Sequence, residues 1–276
     1  MMSLFQAASL LSVPVLCLSI SCAESQAHAG PAEYDLTSPI VHKMDSRLAE
    51  ISGIAFKPGD DNALFAIEDE HANFYRLSSD GKIEGKTDFG KKGDYEDVAI
   101  TDSAAYVLRS DGAILQSDIR GNPEETVSTS TQDILPPGEY EGMTVGENNS
   151  LVALCKDCKV KGSKGKLIVY KISIEPSGQL KSADPIMVTV GEEEKKVKLA
   201  PSGLARNPVN GNWYIISSVN KMLIILNPDF SSPVSYNLDA RMFPQPEGIC
   251  FDSKGTLFIS NEGAGGSASI LEFKRK

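Results

Sequence analysis

From Ser52 onward the chain is written in short runs, apolar or alternating, each closed by a turn. The runs LFAI, AYVL, LVAL, WYII and LFIS are almost wholly apolar. Each follows a shorter run of small and aliphatic residues: Ile54-Ala55, Val98-Ala99, Met143-Thr144, Leu204-Ala205 and Ile249-Cys250. Runs this short predict strands, and the wholly apolar ones predict strands buried on both faces. Strong turn chemistry separates them at Pro58-Gly59-Asp60, Ser79-Asp80-Gly81, Ser110-Asp111-Gly112 and Asn210-Gly211. The unit recurs, opening at Ser52, Glu96, Glu141, Ser202 and Glu247, at spacings of 44, 45, 61 and 45 residues. Self-similarity at that period with β patterning predicts an all-β fold, a β-propeller of five four-stranded blades. Six blades follow if the longer third unit hides a degenerate one; its extra residues lie in Lys156–Gly165 and Glu192–Ala200.

The last unit has three strands, near Gly248–Phe251, Thr256–Asn261 and Ser269–Phe273, and then the sequence stops. Glu33–Met44 alternates, reads as one strand and precedes the first opener. It can supply the missing fourth strand and close the ring, because an unpaired edge is a liability. The predicted domain is therefore single, over residues 33–276.

The first residues follow different rules. Leu4–Ile20 is apolar and small, then comes Ser21-Cys22. This predicts a signal peptide over 1–21 and a lipobox-like cleavage that leaves Cys22 as a lipidated first residue. Ser19 stands where an aliphatic residue is usual, and MMSLFQ carries no basic residue. Ordinary secretion, with cleavage near Ala23 or Ala27-His28-Ala29, is the alternative. Residues 22–32 are polar, small and aperiodic, a tether between lipid and domain. The expected location is the bacterial cell envelope, on a membrane through the lipid anchor at Cys22, most naturally the outer membrane.

Charge narrows the function. A formal net charge of −10 gives a nucleic-acid role no electrostatic support. No GxSxG, HExxH or glycine-rich phosphate loop is present. With three histidines, a Ser-His-Asp triad could use only His71.

The carboxylates are the more informative residues. Glu96, Glu141 and Glu247 share one repeat position, with Ser52 and Ser202 in the other two units. Equivalent positions in a propeller converge at one mouth of the central channel. Two carboxylates about 5 Å apart at an effective dielectric of about 20 repel by roughly 3 kcal/mol. A divalent cation would relieve this, and oxygen ligands favour Ca²⁺ or Mg²⁺ over zinc. Alternatively, each Glu caps its own loop and faces water. The ends of the second strands reach the same mouth with Glu68, Asp69, Arg109, Asp157, Asn261 and Glu262. Arg109 and Lys156 could balance the acids with no metal at all. Cys155 and Cys158 form the only CxxC, which in an oxidising compartment predicts a local disulfide. Cys250 reads as a small buried hydrophobe.

With these residues in hand, the chain resembles the SdiA-regulated family of bacterial propeller proteins. The resemblance runs from Leu48 to Phe273 through LAEISGIAF, DYEDVAI, EGMTV, PSGLARNP and PQPEGICFDSKGTLFISNEG. It implies an exported propeller, often a lipoprotein, with no settled activity. More distantly, the acidic openers resemble calcium-dependent lactonases of the gluconolactonase type and esterase-like phytases. Glu247 and Asn261 match that pattern best; the remaining ligands of those enzymes have no match here. The metal set expected from all this is Glu96, Glu141, Glu247 and Asn261, holding Ca²⁺. The expected function is a binding module for an unknown small-molecule or protein ligand. Its rival is a calcium-dependent hydrolase of a lactone or phosphate ester.

Overall fold

A computed structural model describes residues 30–118, 128–191, 199–263 and 265–276. The signal segment, Cys22, most of the tether and the charge run at 192–198 lie outside the described residues. Twenty-one strands form five sheets, so the blade number is five. Blade one is β2 (Ile51–Lys57), β3 (Asp60–Glu68), β4 (Asn73–Leu77) and β5 (Ile83–Asp88). Blade two is β6 (Tyr95–Ile100), β7 (Ala104–Arg109), β8 (Ile114–Asp118) and β9 (Ser128–Thr131). Blade three is β10 (Gly138–Val145), β11 (Ser150–Cys158) and β12 (Lys166–Ile174), with β13 (Leu180–Ser182) and β14 (Ile186–Thr189) sharing the outer place along β12. The outer strand of the long third unit is thus split in two, and the described residues of that unit build no sixth blade. Blade four is β15 (Gly203–Arg206), β16 (Trp213–Ser217), β17 (Met222–Leu226) and β18 (Val234–Asn237).

Blade five is β19 (Pro246–Phe251), β20 (Leu257–Asn261) and β21 (Ser269–Phe273), completed by β1 (Ile40–Lys43) from the other end of the chain. β1 runs antiparallel to β21, with Ile40 opposite Glu272 and Lys43 opposite Ser269. The closing strand is shorter than the alternation in Glu33–Met44 predicts. Residues 31–38 turn instead, and Tyr34 and Leu36 enter the core between blades four and five. Tyr34 is anchored there by its hydroxyl, which donates to Gly255 O at 2.7 Å. That buried phenol explains why the segment leaves the strand path early.

Each blade-to-blade seam holds one hydrophobic cluster, and the ring is the sum of five seams. The second strands β7, β16 and β20 are buried almost end to end, as their unbroken apolar sequence requires. One side of β20 shows how it works: Phe258 packs toward blade one, Leu257 and Ile259 toward blade four. Burying one such side chain contributes about 1.5–3 kcal/mol. Among the described residues no helix is long and apolar enough to cross a membrane.

Candidate cation site at the channel mouth

The inner strands β2, β6, β10, β15 and β19 contact one another in sequence around the axis. Their opening residues do not sit on a regular ladder. Tyr95 pairs with Arg109 and Asp97 with Leu108, leaving Glu96 as an extra residue. Tyr140 pairs with Cys155 and Gly142 with Leu154, leaving Glu141 extra. The register also slips between Pro246 and Ile249, around Glu247, and between Ile51 and Ile54, around Ser52. A bulge re-aims the side chain it carries. The repeated opener is thus a bulge residue, and the bulge turns it out of its sheet. The two serines use this position structurally. Ser52 Oγ donates to Glu96 O at 2.7 Å, and Ser202 Oγ to Pro246 O at 2.7 Å, each pinning its blade to the next.

The residue after the opener is Gly in four units and Asp97 in the second. Inner strands come too close here for a side chain: a Cβ on Gly203 would collide with Glu247 O, and one on Gly248 with Ser52 O. Asp97 fills the space its glycine neighbours leave. Its carboxylate accepts Val98 N and Met143 N at 2.8 Å each, and the backbone N–H of Leu204. Burial pushes this carboxyl well above its usual range, opposed by those three donors. Asp97 is 1% exposed and ties blades two, three and four together at the axis. Beyond it lies a cavity of about 300 Å³ lined by inner-strand residues, Cys250 among them, and by the charged Lys57, Asp61, Arg206 and Asp252.

On the opener side the charges fall into two groups. Between blades two and three, Glu96 keeps its proton and donates it to Glu141. Burial, then the Glu141 charge, push Glu96 up to about 9. Burial also raises Glu141, but Lys156 opposes it from 2.5 Å. Lys156 Nζ also lies 3.4 Å from Glu139 Oε1.

Between blades five and one the arrangement differs. Glu50 lies beside Asp69 because Asp69 N donates to Glu50 O, one step past the end of the β2–β3 ladder. Gly263 N donates to Ala49 O and brings Glu262 against them. Oxygens of Glu50, Asp69 and Glu262 lie within 4.8 Å of one another. Glu247 is near: its charge interacts with Glu262, and its carboxylate accepts from the side chain of Ser218. Burial first, and neighbouring carboxylates next, push Asp69 to about 6, Glu262 to about 7 and Glu247 to about 8. Among the described residues no Lys or Arg pairs with any of these four. Asn261 ends β20 directly before Glu262 and pairs in register with Pro246, the residue before Glu247. It is 1% exposed, yet neither Oδ1 nor Nδ2 has a partner; Asp69 Oδ1 is also buried without one.

The other residues proposed from sequence take other places. Arg109 turns to Asp111 in a two-pronged ion pair, Nε to Oδ1 at 2.9 Å, and does not reach the glutamates. Glu68 is buried within blade one, against His71 Nδ1 at 3.1 Å and the amide of Asn73. Asp157 pairs in register with Glu139. Cys155 and Cys158 are joined by a disulfide, and Cys250 is a buried free thiol. Glu50, Asp97 and Glu139 are the residues the sequence reading missed. Asp97 carried a signal, as the one break in a run of glycines, and Glu50 and Glu139 carried another, as acids two residues before their openers, a place Asp94 shares.

The chain is thus a five-bladed propeller with an acidic mouth on one side and a cavity on the other. The family model for SdiA-regulated proteins matches residues 31–126, and over the closing strand, the first blade and much of the second the chain resembles that family. No curated protein matches the chain. Among solved structures, glutaminyl cyclase from Myxococcus xanthus is similar at 15% identity and a TM-score of 0.57, over 86% of this chain and 97% of that one. The PQQ-bound aldose sugar dehydrogenase from Streptomyces coelicolor is similar at 14% identity and a TM-score of 0.53, over 87% and 99%. Virginiamycin B lyase from Staphylococcus aureus matches at 16% identity and a TM-score of 0.45 over 81% of this chain, which spans 66% of that one. At these identities the likeness is one of fold.

Proposed function

We propose that this is a binding propeller of the bacterial envelope whose acidic mouth takes a divalent cation, Ca²⁺ by preference, as part of its ligand site. The observation that carries the reading is Asn261. A buried amide with no partner is costly, about 1–3 kcal/mol for each unsatisfied group. An oxygen-seeking cation would accept its Oδ1 together with the uncompensated carboxylates of Glu50, Asp69 and Glu262, with Glu247 at the rim. Of the expected set, Glu247 and Asn261 stay in this reading. Glu96 and Glu141 are engaged with each other and with Lys156. Cys22, as a lipidated first residue, would hold the domain on a membrane surface, the outer membrane by preference.

The test is a melting curve of the purified propeller with millimolar Ca²⁺ and with chelator. Binding to the folded state alone raises stability by about 2.7 kcal/mol at a hundredfold excess over Kd. The expected result is a clear rise in Tm with Ca²⁺; equal Tm in both, with no metal co-purifying, overturns the reading. A calcium-dependent hydrolase of a lactone or phosphate ester is the second reading. It is favoured by the hydrogen bond from Glu96, which burial keeps protonated, to Glu141, whose own upward shift Lys156 opposes, since an acid beside a carboxylate is the pairing such chemistry uses. A lactone and phosphate-ester screen with Glu96→Gln as control decides that point.

A further inference from the structure

The third blade holds its mouth cation with an unusual piece of backbone. Gly138 pairs with Cys158, Glu139 with Asp157 and Tyr140 with Cys155, which leaves Lys156 unpaired on β11. One step on, Glu141 is left unpaired on β10. Two facing bulges therefore present Lys156 and Glu141 to each other. The Cys155–Cys158 disulfide spans the bulged lysine, with Cα atoms 6.0 Å apart. Gly138 lets β10 lie against it, since a Cβ there would collide with Cys158 Sγ. Cys155 Sγ also lies 3.2 Å from Glu139 O.

The ammonium so delivered has the surroundings of a bound ion. It lies 2.5 Å from Glu141 Oε1 and 3.4 Å from Glu139 Oε1, and Glu141 in turn accepts a hydrogen bond from Glu96. The Glu141 side chain is 9% exposed, so this is a largely desolvated carboxylate. A lysine is a compact point charge on a long flexible stem, and holding it in one place costs side-chain entropy. The disulfide removes part of that cost by fixing the backbone on both sides.

We propose that Lys156 is a resident counter-ion: it fills a second cation site made by Glu139 and Glu141, and the Cys155–Cys158 disulfide holds it there so that the mouth admits one divalent cation and not two. Lys156 is thus the residue that sets how much positive charge the mouth accepts. The inference rests on the cation reading only for the first ion, beside Asp69 and Glu262; the second site stands on Lys156 itself.

Calorimetric titration of the folded protein with Ca²⁺ alone tests it, comparing wild type with Lys156→Met. The variant is expected to bind one Ca²⁺ more than wild type. No added site in the variant overturns the proposal. If wild type binds none and Lys156→Met binds one, the first-ion reading fails and this one stands. A second measurement needs no variant at Lys156. Amine acylation of native protein, read by mass spectrometry, should modify Lys156 at least about fivefold more slowly than Lys159 or Lys161 in the next loop. That protection should disappear in Cys155→Ser/Cys158→Ser while Lys254, far from the mouth, reacts unchanged. Equal rates at Lys156 and its loop neighbours in wild type, or protection kept without the disulfide, would overturn the positioning role.

Discussion

The two halves of the channel mouth descend from one repeat and solve the same problem differently. On the side of blades two and three the acids are neutralised from within, by the proton Glu96 keeps and by Lys156. On the side of blades five and one, Glu50, Asp69 and Glu262 converge, with Glu247 within electrostatic reach and no basic side chain paired to them among the described residues. The buried amide of Asn261, next to Glu262 in the chain, has no hydrogen-bond partner. The contrast teaches that a carboxylate ring is not one site. Repulsion sums over all its members, but relief is local, and where relief is missing a ligand has the most to offer.

The comparison breaks most severely at its base. Asp97→Ala removes the acceptor for three buried N–H groups, and each unsatisfied donor costs about 1–3 kcal/mol. We expect a loss of about 3 kcal/mol or more in denaturant unfolding, and a smaller loss for Asp97→Asn. Wild-type stability of the alanine variant would show that the axis does not depend on this carboxylate.

The next largest effect is on pH. Asp69, Glu262 and Glu247 have folded values raised to about 6, 7 and 8 by burial and by one another. A raised value favours the protonated form in the folded state. Their contribution is full below the ordinary carboxylate range and is lost as pH rises through those values. The metal-free Tm should therefore fall from about pH 5 to about pH 8, and Glu247→Gln should flatten the upper part of that fall. A Tm that climbs over this range in chelator would contradict the assignment.

Asp69→Asn should then remove more than half of the Tm rise given by Ca²⁺. It takes a charge from the uncompensated half and leaves the shape. Equal Ca²⁺ response in wild type and Asp69→Asn would place the ion elsewhere. The smallest effect belongs to the other half: Glu141→Gln should leave the Ca²⁺ response within about 1 °C of wild type, since Lys156 already answers that carboxylate. A large loss there would restore the three-glutamate ring as the site.

Much of this was legible in the sequence and some was not, for physical reasons. The repeat at Ser52, Glu96, Glu141, Ser202 and Glu247 carried the blades because every blade needs the same buried second strand and the same close inner strand. The opener position pointed to the mouth, but the bulges that aim it are a matter of register, which alternation alone does not report. Glu50 stands two residues before its opener; Asp94 and Glu139 hold the same place in the next two units, but Ala200 and Gln245 hold it in the last two, and the place lies outside the run from which the repeat was read. Glu139 and Lys156 meet only because two bulges face each other. Arg109 looked like a counter-ion by position, yet Asp111, two residues away in its own hairpin, is the nearer partner. Tyr34 lay within a run that alternates like a strand, and only the pocket beside Gly255 explains why the chain turns there.

Closure of the ring has a consequence in time. His42 and Glu272, which meet at 2.9 Å across the seam, stand 230 residues apart in the chain. The seam between the first and last strands cannot zip until nearly the whole polypeptide is present, and such long-range pairing is slow because loop entropy must be spent before contact is made. A chain built this way stays open while it emerges. On the envelope reading proposed above, in which the chain crosses a membrane as an unfolded thread, late closure would keep the thread passable; in either case the first strand is the one left waiting for the last.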